Sequence, residues 1–310
     1  MSAREIVVLG SASAVPTRTR NHNGYLLHWD GHGLLFDPGE GTQRQMIHAG
    51  FSVHDIDWIC LTHFHGDHCL GVPGIVQRMS RDGVAEANAA FPASGALYWE
   101  RLRHATIFHD TIRIREQPLG GSVVELDTAD APFTLTARRL DHPVEAYGYR
   151  LVEPDGITML PDELAARGLH GLAIRRLRED GQVTAPDGTV VTLGECSVHR
   201  PGQRFALIMD TRLCDPVFEL ADGVDLLVIE STFLDEDAAL ARDYGHLTAG
   251  QAARVAAEAG VRRLVLTHFS ERYRAEDEHR FADQAAAVFR GDVVVAHDLD
   301  RIPVPPRRRL

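Results

Sequence analysis

Residues 62–68 read Thr-His-Phe-His-Gly-Asp-His directly behind the apolar run Trp58–Leu61, so three imidazoles and a carboxylate fall within six positions. The run reads as a buried strand, and a Gly turn at its end lets such side chains converge on one point. A fold that accommodates this must end a strand at a polar site. Imidazole and carboxylate together suit zinc, with manganese or iron as alternatives, and the tetrahedral N/O preference of zinc puts it first. Seventeen histidines in 310 residues leave further ligands available elsewhere in the chain.

Composition narrows the chemistry. All 32 basic residues are arginine, which excludes lysine Schiff bases and the phosphate-loop NTPases. A net charge of −12 argues against a general nucleic-acid coat while leaving room for a local basic patch. Cys60, Cys69, Cys196 and Cys214 form no CxxC pair, so no disulfide is expected. The opening apolar run of four residues is too short for a signal peptide, and no stretch reaches the roughly 18 apolar residues of a membrane span. A cytoplasmic protein without membrane association is the expectation.

Short apolar runs at Ile6–Leu9, Tyr25–Trp29, Leu34–Phe36, Phe133–Ala137, Tyr147–Val152, Phe205–Met209 and Leu226–Ile229 predict strands. Helical spacing marks Gly41–Ala49, a stretch from Gly66 to a stop at Gly83, Thr248–Ala259 and Glu276–Phe289; strands Leu264–Leu266 and Val293–Val295 lie between and after the last two. Two mixed sheets packed together and covered by helices follow, an α/β four-layer sandwich. Thr-His-Phe recurs behind an apolar strand at 62–64 and 267–269, an echo that fits two related halves. A single domain over 1–310 is predicted. Residues 154–202, rich in Gly, Pro, Asp and Arg, form an insertion with one helical piece at Asp162–Arg167 and a turn at Pro186-Asp187-Gly188. Residues 87–104 carry no functional reading, and Pro303–Leu310 reads as a frayed tail.

The HxHxDH pattern of residues 63–68 resembles the metal motif of the metallo-β-lactamase superfamily. The resemblance runs along nearly the whole chain and implies the four-layer αββα fold of that superfamily with an inserted protruding arm. It assigns His63, His65 and His142 to one metal ion. Asp67, His68 and His268 go to a second, with Asp210 bridging and Asp37 orienting the ligands from behind.

More specific segments resemble the ribonuclease Z family. They are Pro16-Thr17-Arg18-Thr19-Arg20-Asn21, Asp37-Pro38-Gly39-Glu40-Gly41-Thr42-Gln43, Ile229-Glu230-Ser231-Thr232-Phe233, His246-Leu247-Thr248 and His268-Phe269-Ser270-Glu271-Arg272-Tyr273. The resemblance implies a zinc-dependent endoribonuclease with two Zn²⁺ per chain. It would remove the 3′ trailer of precursor tRNA with a metal-bound hydroxide steered by Asp67, leaving a 3′-hydroxyl. Glu230 and His246 would form the pair that protonates the leaving oxygen. Arg18, Arg20 and Asn21 would bind substrate near the cut, as Arg suits phosphate. By resemblance the insertion is a tRNA-gripping arm, for which Arg175, Arg176 and Arg178 are the phosphate candidates, and the protein is a homodimer. The arm departs from the usual basic pattern, having five arginines against seven acidic residues. An alternative reading keeps the dinuclear site but gives it a small phosphodiester, sulfate ester or lactone.

Overall fold

The computed structural model describes residues 4–129 and 131–307. It divides into two compact units, Met1–Val152 with Arg204–Pro305, and Glu153–Gln203 with the C-terminal residues beyond 305.

Among the described residues the first unit contains two seven-stranded sheets. One has the strand order Arg301–Pro303, Glu5–Gly10, Gly24–Trp29, His32–Phe36, Trp58–Cys60, Glu86–Pro92 and Arg113–Leu119, antiparallel up to His32–Phe36 and parallel from there. The other runs Asp292–Val295, Arg263–Thr267, Leu226–Glu230, Arg204–Ile208, Tyr147–Val152, Thr134–Arg139 and Val123–Leu126, parallel through its first four strands and antiparallel after them.

The period of two along each strand explains the layers. Ile6 and Val8 face a central core shared with Tyr149, Phe205, Leu207 and Val228, whereas Val7 and Leu9 face an outer core with Met46, Ile75, Met79 and Trp99. In the second sheet Phe205 and Leu207 point to the centre while Ala206 and Ile208 meet Val217, Leu220, Val255 and Phe281 on the other side. Strands buried on both faces lose polar alternation, which is why they read as unbroken apolar runs. The outer helices of the first sheet are Thr42–His48, Val72–Asp82 and Ala96–Arg103, and those of the second are Asp215–Ala221, Ala249–Glu258 and Glu278–Val288. Residues 87–104 therefore supply a core strand and a covering helix.

The second unit has its own small core of Leu164, Leu169, Leu177, Ala185, Val191 and Cys196. Gly156–Met159 pairs with Ser197–Arg200, and a hairpin joins Gln182–Thr184 to Val190–Thr192 around the anticipated turn. The helical piece lies at Pro161–Ala166. A second helix, Leu172–Asp180, has no counterpart in the sequence reading because its apolar stripe is only Ala173, Ile174 and Leu177 among charges.

The frayed tail is corrected in part. Arg301–Pro303 pairs with Glu5–Val7, and Val304 is buried with its N–H on Arg4 O, so this edge closes the sheet. Residues 308–310 lie outside the described residues. All four cysteines are free, and among the described residues no helix is long and apolar enough to cross a membrane.

Candidate metal centre

Parallel strands deliver the candidate ligands from their C-terminal ends, where open α/β sheets gather binding groups. Asp37 follows His32–Phe36, the 63–68 motif follows Trp58–Cys60, Asp210 follows Arg204–Ile208 and His268 follows Arg263–Thr267. The two Thr-His-Phe segments thus end strands of the two different sheets. Asp37, Asp210 and His268 take φ of 44°, 36° and 63°, left-handed values that residues with a Cβ seldom adopt. Strain of this kind persists where surrounding structure forces side chains to converge.

Three groups of candidate ligand atoms result among the described residues, one of them Asp210 with His246 and His268. His63, His65, His142 and Asp210 each bring one atom within 4.8 Å of the others, and Asp67, His68 and His268 do the same. Asp210 faces both of the latter: Oδ2 is 3.5 Å from His63 Nε2 and 3.9 Å from His142 Nε2, while Oδ1 is 3.2 Å from His268 Nε2 and 3.5 Å from His68 Nε2.

Hydrogen bonds on the far side of four rings fix their protons. His68 Nδ1 donates to Asp37 Oδ2 at 2.9 Å and His142 Nδ1 to Gly245 O at 3.0 Å, and neither acceptor can donate. The Thr62 hydroxyl gives its one proton to Asp37 at 2.7 Å, so it accepts from His63 Nδ1 at 3.0 Å. The Thr232 hydroxyl donates to Glu230 and accepts from His268 Nδ1 at 2.8 Å. Each of these rings therefore turns an unprotonated Nε2 toward the cluster, with Asn23 Nδ2 3.2 Å from that of His68 and His65 Nδ1 2.9 Å from that of His63. Asp210 Oδ1 and His268 Nε2 are buried there without a hydrogen-bond partner among the described residues. Lone pairs facing lone pairs and carboxylates are satisfied by cations, so the donor set fits divalent metal ions.

The electrostatics agree. Burial pushes His63 well down. Burial also works against a charged His68, yet Asp210, Asp67 and Asp37 outweigh it and raise that imidazole well above its usual value. A pocket this anionic draws in positive charge, a proton on His68 or a metal ion in its place. Burial opposes ionisation of Asp67 as well, but His68 and His268 hold its carboxyl far below the ordinary range.

Beside the cluster, fully buried Glu230 accepts from Thr211 N at 2.8 Å and from His246 Nδ1 at 3.1 Å. Burial would lower His246, but Glu230 and Asp210 outweigh it and lift the imidazole to about 9. His246 and the ligand residues His65, Asp67, His142, Asp210 and His268 line one cleft of about 390 Å³, together with Phe233, Tyr244 and Arg272.

Two of the candidate substrate-binding residues also have duties within the fold. Arg20 is 8% exposed; its guanidinium bonds Ser11 Oγ, Ala296 O and Glu278 Oε1 and lies 4.5 Å over the Phe269 ring, so it is committed to the fold. Asn21 uses its amide on His22 O and Glu40 O, which pins the turn leading to the first helix. Arg18 is exposed, on a cavity of about 330 Å³. Arg175, Arg176 and Arg178 are exposed on the Leu172–Asp180 helix of the second unit, Arg175 paired with Glu179 at 2.8 Å.

Sequence reasoning missed Thr62, Thr232 and Gly245. The two threonines lie beside recognised residues, but nothing in a sequence says which way a hydroxyl proton points. Gly245 carried a usable signal, a glycine between an apolar helical stretch and His246. Its φ of 82° caps the preceding helix, and a Cβ there would stand 2.6 Å from Pro143 Cδ and 2.9 Å from His142 Nδ1.

The family described as Anti-Pycsar protein Apyc1 matches residues 4–85, and the Beta-lactamase superfamily domain matches residues 164–269. Ribonuclease Z of Nocardia farcinica is 62% identical over 309 residues, spanning 99% of this chain and 100% of that one. Ribonuclease Z of Thermobifida fusca is 58% identical over 309 residues, with 99% and 97% covered. Among solved structures, the short form of human tRNase Z superposes with a TM-score of 0.67 at 23% identity over 97% of this chain and 100% of that one. The metallo-β-lactamase fold protein YhfI from Bacillus subtilis gives 0.69 at 20% identity, with 97% and 99% covered. Both share the metallo-β-lactamase fold with this chain.

Proposed function

The chain belongs to the ribonuclease Z family, with the metallo-β-lactamase fold, and from that premise we propose that it is the endoribonuclease that removes the 3′ trailer of precursor tRNA. It hydrolyses one phosphodiester and leaves a 3′-hydroxyl on the tRNA. The observation that carries the chemistry is the turning of four unprotonated imidazole nitrogens and a shared Asp210 toward one point beside a buried carboxylate–imidazole pair. The small-ester alternative loses ground to relatives 55–62% identical across 99% of the chain, a span that takes in the weakly acidic insertion.

His63, His65 and His142 would hold one metal ion and Asp67, His68 and His268 a second, with Asp210 placed to contribute to both. We assign two Zn²⁺ per chain, with Mn²⁺ or Fe²⁺ as substitutes. When bound, such ions acidify water and neutralise charge on the phosphate. Asp37 and Thr62 keep His68 and His63 in the tautomer that ligation needs. Asp67 approaches His68 and His268 through Oδ2, leaving Oδ1 to accept a hydrogen bond from the attacking water and aim it in line. Glu230 accepts from His246 Nδ1 and favours the charged imidazole, so His246 can give its Nε2 proton to the departing ribose 3′-oxygen while Glu230 balances the charge. Arg18 is the exposed cation for an adjoining phosphate. The three arginines of the Leu172–Asp180 helix suit more distant tRNA phosphates, and a homodimer in the cytoplasm completes the reading.

The test is to incubate the zinc-loaded protein and its Asp67→Ala variant with a 3′-extended precursor tRNA and map product ends at nucleotide resolution. A single cut after the discriminator nucleotide, made by wild type only while the variant still binds tRNA, is the expected result. No cut with metals bound, alongside turnover of a small phosphodiester, would transfer the site to the alternative substrate class.

A further inference from the structure

Tyr244 ends the helix Ala238–Tyr244 on the rim of the metal cleft. Its side chain is 60% exposed, and its hydroxyl makes no hydrogen bond among the described residues. The backbone leaves little play between this ring and the proton donor. One residue separates Tyr244 from His246, and that residue is fixed at both ends: the Gly245 N–H caps the helix on Arg242 O, and its carbonyl receives His142 Nδ1 at 3.0 Å. The other aromatic side chain of the cleft is already occupied. Phe233 is 5% exposed, with the Arg272 guanidinium 5.4 Å over its ring and Arg272 itself 3.5 Å from Asp237. Tyr244 is thus the one phenyl or phenol ring lining this cleft, among the described residues, whose face is open.

We propose that Tyr244 is a substrate-binding residue on which the nucleobase of the nucleotide immediately 5′ of the cut stacks. The assignment rests on the endoribonuclease reading, because the side of the cut follows from the chemistry of His246. Hydrolysis that leaves a 3′-hydroxyl expels the 3′-oxygen of the 5′ nucleotide, and His246 protonates that oxygen. The base of the same nucleotide is carried by the same furanose ring. An aromatic face held two residues from the proton donor is therefore offered to that base and not to the one beyond the scissile phosphate. Stacking accepts any base, since each has a π-face, so it positions the substrate without reading its identity. An open aromatic ring loses little conformational freedom on binding, which suits it to this task.

The experiment measures kcat/KM for wild type, Tyr244→Ala and Tyr244→Phe, matched in metal content and thermal midpoint. Three precursor tRNAs are used: unmodified, abasic at the nucleotide 5′ of the cut, and abasic at the nucleotide 3′ of it. Wild type is expected to lose about 5- to 100-fold on the 5′-abasic substrate. Tyr244→Ala loses a similar factor on unmodified substrate and no more when the 5′ base is also removed, while Tyr244→Phe stays near wild type. Independent, multiplying losses would overturn the assignment, as would an unchanged Tyr244→Ala or a dependence confined to the 3′ base. Failure of wild type to cut any precursor tRNA would overturn the endoribonuclease reading and this assignment with it.

Discussion

Thr232 Oγ1 stands 2.8 Å from His268 Nδ1 and hands its own proton to Glu230, the carboxylate that also receives His246 Nδ1 at 3.1 Å. One buried acid thus orients a ligand histidine through a hydroxyl and the proton donor directly. Thr232→Val keeps the shape and removes the relay, leaving His268 Nδ1–H buried without an acceptor and the ring free to change tautomer. Affinity for the metal ion held by His268 should fall about 10- to 100-fold, read by chelator competition. Thr232→Ser should restore it. Equal affinity in the Val variant would show that the hydroxyl does not govern the ligand.

The Glu230–His246 pair makes a prediction that separates proton donation from metal binding. His246→Ala should lower kcat on precursor tRNA by about 10²- to 10⁴-fold with KM and metal content near wild type. A nitrophenyl phosphodiester, whose leaving group departs without a proton, should be nearly indifferent to the same change. An equal loss on both substrates would place His246 in metal holding instead.

Arg18 and Arg20 are two residues apart and should behave as different kinds of residue. Arg20 lies over the Phe269 ring, bonded to Ser11, Ala296 and Glu278, and Arg20→Ala removes all of these contacts at once, leaving Ser11 to Asp298 and Glu278 to His297. Urea unfolding should show a loss of about 3 kcal/mol. Arg18→Ala should leave stability within about 0.5 kcal/mol while raising KM for tRNA and flattening its salt dependence. A destabilised Arg18 variant with unaltered KM would reverse the assignment.

That contrast marks where sequence stopped being legible. Strands buried on both faces, such as Glu5–Gly10 and Leu226–Glu230, announce themselves as apolar runs, whereas the ligand set is implied only by the resemblance of the segments behind several such strands to a known metal motif. Arginine looks alike whether it meets a phosphate or a partly buried carboxylate of the same chain; what decides is Glu278, more than 250 residues away along the chain. The strand Glu86–Pro92 was hidden because alanine carries little β preference, and its register against Trp58–Cys60 is set by neighbours. The Leu172–Asp180 helix was hidden because burying Leu177 takes only one turn's worth of apolar residues.

Glu278 yields a pH prediction remote from the metal cluster. Burial would push its carboxyl up, but His297 Nε2 at 2.8 Å and Arg20 Nη2 at 2.6 Å outweigh it and hold the group below its ordinary 4.5. A carboxyl depressed in the folded state adds stability above its unfolded pKa and gives it up as pH falls through the folded value. Glu278→Gln should therefore be less stable than wild type by about 1 kcal/mol at pH 7, a modest figure because Glu278 is 29% exposed and partly screened. The gap should hold down to about pH 5 and close on further acidification, as wild-type Glu278 takes up the proton that makes it resemble glutamine. Paired denaturation curves from pH 8 to pH 3 read it directly. A gap of constant size down to pH 3 would show that packing, and not the charge facing Arg20 and His297, accounts for the loss.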